Sequence, residues 1–383
     1  MSSVKEATNQ STSAVAPSLV PTYEGDFVLD GELQLECGRT LPTPTLHYAV
    51  YGRLNAARDN AVLVCHALTG SAQVGSWWPE LFRPGALLSL ERDCVLCINL
   101  LGSCYGSTGP ASVDPATGQI YGPAFPLVSI RDNVQAQARL LRSLGIERLR
   151  LVLGGSLGGM QALEWALLFP EQMEQVVIVA AAPVQAMGLA MNHLQRHAIQ
   201  QDPAWAEGNY SPLYPPRRGL ALARQIAMLS YKSPVLFEER YGRNPNRNGE
   251  DPWALDDRGG GLTGGRFDIA GYLDEQGERF VSRFDANAYL AILRMMDTWD
   301  PLRGYGTAAE AFGRIQAQLT IVGITTDGLF PVDQVRRFAR TIQEAGARIE
   351  YREMVSDHGH DAFLAEQVEL VTLLSQPAPE SQK

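Results

Sequence analysis

Short, almost wholly apolar runs recur along the chain between Tyr48 and Pro183. Residues 61–65, 94–100, 149–153 and 176–180 have this character, which is the pattern of strands buried on both faces of a parallel sheet. Residues 131–144 instead carry helical spacing and stop at Gly145, so a helix is predicted there. The strand pattern returns at 319–324 and 348–354, and two strand–helix units therefore close the fold. Alternation of this kind predicts an α/β domain built on a mostly parallel, doubly wound sheet. Between the two parts the pattern changes. Residues 190–199, 219–230 and 285–296 read as helices, with a Gly/Asn/Asp-rich loop over 244–265 among them. A helical block that interrupts an α/β core reads as a cap over a site, able to keep water from a reaction. The expected organisation is a disordered tail over 1–22, a core formed by 23–183 and 304–376, a helical cap insertion over 184–303, and a disordered tail over 377–383.

One junction in this pattern carries chemistry. The apolar run 149–153 leads directly into Gly154-Gly155-Ser156-Leu157-Gly158-Gly159, and residues 161–169 have helical composition up to Pro170. A strand, a sharp turn bearing a serine and a helix are the setting that makes a G-x-S-x-G match a nucleophile elbow. Glycines let the turn close without Cβ clashes, and the helix start favours developing negative charge beside the serine. The competing reading is an ordinary Gly-rich connection between a strand and a helix.

Composition narrows the classes of partner. The chain has 383 residues, 45% of them apolar, and a formal net charge of −10. It can bury a large core, and its charge argues against nucleic acid or an anionic membrane surface as the main partner. No apolar segment is long enough to cross a membrane, and the N-terminal residues lack the basic-then-apolar order of a secretory signal. Five cysteines, an odd number mostly in apolar runs, suit reduced thiols in a cytoplasmic protein. Cys94 and Cys97 have redox-pair spacing but fall within a buried-strand sequence, and no second pair accompanies them for zinc. No metal site and no bound cofactor are expected.

A serine nucleophile requires a base within hydrogen-bond reach and an acid to orient that base. In an open α/β sheet the site lies at the carboxyl ends of the strands, with the order Ser, Asp, His along the chain. Asp327 follows the run ending at residue 324, and His360 follows the last strand pattern. Asp333, beyond Pro331, and His358 are the competitors, and spacing leaves the choice of histidine open. The oxyanion would take the N–H of Leu157, after the nucleophile, and the N–H of Leu68, after an earlier strand. His66, at that strand end, reads as structural or as a pocket wall.

Several longer motifs carry a resemblance. Cys65-His66-Ala67-Leu68-Thr69-Gly70, the segment 99–110, Gly154-Gly155-Ser156-Leu157-Gly158-Gly159-Met160-Gln161, Arg283-Phe284-Asp285-Ala286-Asn287 and Gly359-His360-Asp361-Ala362-Phe363-Leu364 together resemble the homoserine O-acetyltransferase family, over about residues 29–374. The resemblance implies an α/β-hydrolase fold with a helical cap, His360 as the base, and transfer of acetyl from acetyl-coenzyme A, a co-substrate, to the hydroxyl of L-homoserine in methionine biosynthesis. It implies a Ser156 acyl-enzyme and a homodimer formed through the cap. It also assigns Arg224 and Tyr231, seven positions apart on one helical face, to the acceptor's carboxylate, and Asp361 to its ammonium. Arg283 is a family marker without an assigned role.

Two positions depart from the family pattern. Gly328 stands where related sequences commonly carry a larger residue, often tryptophan, and the segment 102–106 differs in small ways. A succinyl donor or a serine acceptor on the same fold is the nearest alternative. An esterase-like hydrolase, passing the acyl group to water, is the rival of another class, and a binding protein without catalysis is a third. The set Arg224, Tyr231 and Asp361 discriminates, because an esterase needs no amino-acid clamp.

Overall fold

The computed structural model describes residues 19–376, apart from 248, 250, 256–261 and 263. Most of both expected tails therefore lies outside the described residues. From Leu19 onward the backbone is tied to the core: Leu19 N–H donates to the Gly75 carbonyl and Thr22 N–H to that of Val50. Parts of the expected 244–265 loop also lie outside the described residues. Its start is fixed by a bridge between Pro245 and Phe267.

Among the described residues ten strands form, in chain order: β1 (Tyr23–Val28), β2 (Leu33–Gln34), β3 (Thr40–Leu41), β4 (Thr45–Gly52), β5 (Ala61–Cys65), β6 (Cys94–Ile98), β7 (Leu149–Gly155), β8 (Met173–Val179), β9 (Gln318–Ile324) and β10 (Ile349–Met354). Eight of them make one sheet in the order β1-β4-β6-β5-β7-β8-β9-β10. The pairs β1–β4 and β4–β6 are antiparallel, and every pair from β6 to β10 is parallel. The central strands are apolar on both faces because both faces are covered. Val152, Ile178 and Ile321 point into one apolar cluster with α2 (Ile130–Ser143), α3 (Leu157–Leu168) and α10 (Val332–Glu344). Leu153, Val179 and Val322 point the opposite way, toward Trp78 next to α1 (Val74–Trp77), Phe363 in α11 (Ala362–Ala365) and Leu370 in α12 (Gln367–Ser375).

Between β8 and β9 the chain leaves the sheet and forms α4 (Ala186–Gln200), α5 (Arg217–Tyr231), α6 (Pro234–Arg240), α7 (Asp268–Val281), α8 (Ala286–Asp297) and the short α9 (Ala308–Phe312). Three of these cover the helices expected in the insertion. Asp285 caps α8 by accepting from Ala288 N–H, and Ser233 caps α6 by accepting from Leu236 N–H.

At the junction of β7 with α3 backbone packs closely against backbone. Ser156 has φ 57° and ψ −124°, a conformation that costs a non-glycine residue about 1–3 kcal/mol. Its N–H donates to the Val179 carbonyl and its carbonyl accepts from Met160 N–H, so neighbouring strand and helix impose the geometry. A Cβ on Gly158 would stand 2.1 Å from the Cys65 carbonyl oxygen, and one on Gly154 2.2 Å from Gly158 itself. The helix start thus lies directly against the backbone of β5 and β7.

Gly158 and Gly328 make a direct comparison. A Cβ at Gly328 would meet only the Ser230 carbonyl at 3.6 Å. Gly158→Ala should destabilise the protein by about 2 kcal/mol or more, because the obstruction is backbone. Gly328→Ala should stay within about 0.5 kcal/mol of the parent. Urea unfolding of both variants reads the difference directly.

Candidate active site

The carboxyl ends of β5, β7, β9 and β10 deliver the chemical groups to one place. Ser156 stands on the elbow after β7, Asp327 follows β9, and His360 lies in a single 3-10 turn, Gly359–Asp361, after β10. His360 Nε2 is 2.9 Å from Ser156 Oγ, and His360 Nδ1 is 2.7 Å from Asp327 Oδ2. The other Asp327 oxygen, Oδ1, accepts from the N–H groups of Leu329 and Phe330, both at 2.8 Å. All three side chains are buried. The imidazole is enclosed by Phe330, Phe363 and Tyr231 rings.

The Asp327 carboxylate beside it makes His360 Nδ1 the protonated nitrogen, which leaves Nε2 free to accept from the serine. Burial pulls the His360 pKa down, but the charge and hydrogen bond of Asp327, with the charge of Asp361, more than offset it and raise it above 6.5. The competitors are engaged elsewhere. His358 pairs with Glu366 at 2.7 Å and lies 3.2 Å from Arg240 Nη2. Asp333, in the first turn of α10, pairs with Arg336.

A cavity of about 420 Å³ opens beside the serine. Ser156, His360, Arg224, Tyr231, Asp361 and Leu68 are among its lining residues, whereas Asp327 stands behind the histidine. Leu157 has a buried side chain, but it is the first residue of α3 and its N–H has no carbonyl partner within the helix. The Leu68 backbone belongs to a turn closed by Gly70 N–H donating to the Ala67 carbonyl at 3.0 Å. His66 supports that turn. Leu100 N–H donates to its Nε2, and Nδ1 lies 2.8 Å from the Ala67 carbonyl. Burial lowers its pKa to about 4, so it stays neutral at physiological pH, with Nδ1 as the donor.

From the helical insertion, α5 brings Arg224 and Tyr231 to the same cavity, with the guanidinium 5.2 Å from the centre of each of two rings, Tyr231 and Phe280. Asp361 carries a contact that sequence reasoning did not anticipate: Lys232 Nζ lies 3.2 Å from Asp361 Oδ2. Tyr105 and Trp77 also line the cavity and were likewise missed. Tyr105 lies within the motif segment 99–110, which was the available signal, whereas Trp77 ends the four-residue helix α1, too short to show a periodicity. Arg283 reaches the cavity too, donating through Nη1 to the Thr69 carbonyl and the Tyr105 hydroxyl. Gly328 is exposed and is not among the lining residues of this cavity.

Sheet order, elbow and a Ser–His–Asp set define the class. Residues 60–367 match the α/β hydrolase fold family. A chain described as homoserine O-acetyltransferase from Symbiobacterium thermophilum is 46% identical over 346 residues, covering 88% of each chain. This chain therefore belongs to the homoserine O-acetyltransferase family. Among solved structures, homoserine O-acetyltransferase from Bacillus anthracis superposes with a TM-score of 0.84 at 24% identity, covering 93% of this chain and 98% of that one. Esterase E22 superposes with a TM-score of 0.81, also at 24% identity, covering 92% and 100%. At those identities the two structures speak for the fold alone.

Asp327→Asn tests the geometry of the set. The substitution removes the charge that raises the His360 pKa and turns the imidazole toward the wrong tautomer. We expect turnover to fall by about 10³–10⁴-fold. In the parent the acidic limb of the kcat/KM profile lies above pH 6.5, where the neutral base is lost, and in the variant's residual activity it moves to lower pH. A pH–rate series on the two proteins is the measurement, and an unmoved limb would remove Asp327 from the set.

Proposed function

We propose that the protein is a homoserine O-acetyltransferase that moves acetyl from acetyl-coenzyme A to the side-chain hydroxyl of L-homoserine through an acyl-enzyme on Ser156. The observation that carries this reading is the lining of one cavity. A serine within hydrogen-bond reach of His360 shares it with Arg224, Tyr231 and Asp361. An arginine able to bind a carboxylate in bidentate fashion and a carboxylate able to hold an ammonium suit a free amino acid. Membership of the family named above supports the same substrates.

In the first half-reaction His360 Nε2 takes the Ser156 proton, and Oγ attacks the thioester carbonyl. The Leu68 and Leu157 N–H groups stabilise the oxyanion. The carbon–sulfur bond breaks, His360 gives its proton to the departing sulfur, and coenzyme A leaves as the free thiol. In the second, the acceptor hydroxyl gives its proton to His360 and attacks the ester carbonyl. The acyl–Oγ bond breaks, Ser156 recovers its proton, and the O-acyl amino acid leaves. Asp327 keeps the imidazole in the productive tautomer and stabilises its charged form.

Homodimer formation through the cap goes with this reading, and exposed Leu194, Leu222 and Leu229 on α4 and α5 supply an apolar face for it. A cytoplasmic location and a place in methionine biosynthesis go with it as well. No helix among the described residues is long and apolar enough to cross a membrane.

Thiol release from coenzyme A tests the proposal across acetyl and succinyl donors and homoserine, serine or no acceptor. We expect sustained release only with acetyl-coenzyme A and homoserine, and none from Ser156→Ala. Sustained release without acceptor would make the protein a hydrolase. On the same assay Arg224→Gln should raise the homoserine KM roughly 10²-fold, since a charge-assisted bidentate pair is worth about 1.5–3 kcal/mol. The single-turnover burst of coenzyme A should remain.

A further inference from the structure

The turn that presents Leu68 N–H is fastened from two directions. From the core, Gln161 Nε2 donates to the His66 carbonyl at 3.1 Å, and His66 itself bonds the Ala67 carbonyl. From the helical insertion, Arg283 Nη1 donates to the carbonyl of Thr69, 3.1 Å away and 214 positions distant in sequence. Leu68 and Thr69 are the two central residues of this turn, closed by the Gly70 N–H to Ala67 carbonyl bond, so the contact on the Thr69 carbonyl holds the Thr69–Gly70 peptide that closes the turn and limits how far the turn bearing Leu68 can rock. The same Nη1 donates to the Tyr105 hydroxyl at 2.5 Å. The guanidinium lies 5.0 Å from the centre of the Phe280 ring, and Arg224 lies 5.2 Å from the centre of that same ring. Tyr105 in turn packs edge-on against Phe284.

We propose that Arg283 is a positioning residue for acyl transfer: it pins the Ala67–Gly70 turn from the insertion side and so aims the Leu68 N–H at the oxyanion. This rests on the acyl-transfer reading above. The residue is exposed, and hydrogen bonds from an exposed cation add little to global stability. Their worth here lies in geometry, because an oxyanion donor acts only when it points at the developing charge. Phe280, shared by the two guanidinium groups, links the same device to the acceptor clamp.

The test uses the full-length protein and four readouts: kcat, both KM values, the urea midpoint, and the rate at which a fluorophosphonate labels Ser156. Arg283→Met should lower kcat by roughly 10- to 100-fold with both KM values within about threefold, an unchanged urea midpoint and slower labelling. Arg283→Lys, which keeps a cation in reach of the turn, should fall between Arg283→Met and the parent. A raised KM for the acyl donor with kcat retained would overturn the proposal and make Arg283 a donor-binding residue. A lowered urea midpoint with activity lost in proportion would make it structural. Fluorophosphonate labelling needs no thioester, so it still reads the effect of Arg283 if the parent proves unable to use coenzyme A esters.

Discussion

A serine held where L-residues rarely go is the constraint on which the active end of this fold depends. The Ser156 conformation survives because strand β7 ends and helix α3 begins within a single residue, with the helix start against the Cys65 carbonyl. That approach is open only to a residue without a side chain at Gly158. The consequences spread outward. α3 is buried along nearly its whole length, so its polar side chains must be satisfied internally. Glu164 is bound by Arg131 and by the Trp299 indole N–H, and Gln161 by Gln137. Gln161 also reaches the His66 carbonyl. The buried polar groups that the elbow forces on the core thereby become the support of the neighbouring turn.

The electrostatics of the cavity run against those of the molecule. A chain with net charge −10 presents Arg224 and Arg283 to its cavity, while Asp361 is met by Lys232. A local excess of cations suits an anionic donor and a carboxylate on the acceptor, whatever the overall sign. Lys232 lines a different surface groove from that of Asp361, so it holds one carboxylate oxygen from outside the cavity wall. On the proposed reading the acceptor's ammonium would then meet a carboxylate already fixed in place.

How much of this could be read from the chain varied with the range of the contact. β5 matches the predicted run residue for residue, because a strand covered on both faces has little but apolar side chains to display. β1 and β4 went unread: β1 is an edge strand with Gly25 and Asp26 inside it and mostly exposed side chains, and nothing local marks such a sequence as paired. α7 lies just after a Gly-rich stretch that hid its start. Ser156 and Asp327 were legible because each lies just past a strand, where short-range pattern and sheet topology coincide, whereas the choice of His360 over His358 came from the resemblance and not from spacing. The Lys232–Asp361 pair and the Arg283–Thr69 bond were not, since each joins the insertion to a core loop far away in sequence. Such contacts depend on how the insertion folds back, which periodicity does not encode.

A shared fold does not separate transfer from hydrolysis: esterase E22 has this fold, with a TM-score of 0.81 at 24% identity. An acyl-enzyme partitions between water and any acceptor, and the ratio depends on how often each reaches the carbonyl in line. Groups held in near-attack geometry have effective molarities on the order of 10⁵ M or higher, far beyond that of liquid water. On the proposed reading Arg224, Tyr231 and Asp361 supply that geometry for one hydroxyl, and water is offered no comparable clamp. The division of labour follows from the architecture. On that reading the sheet supplies the nucleophile and its base, and the insertion, through Arg224 and Tyr231, decides which hydroxyl is favoured to collect the acyl group.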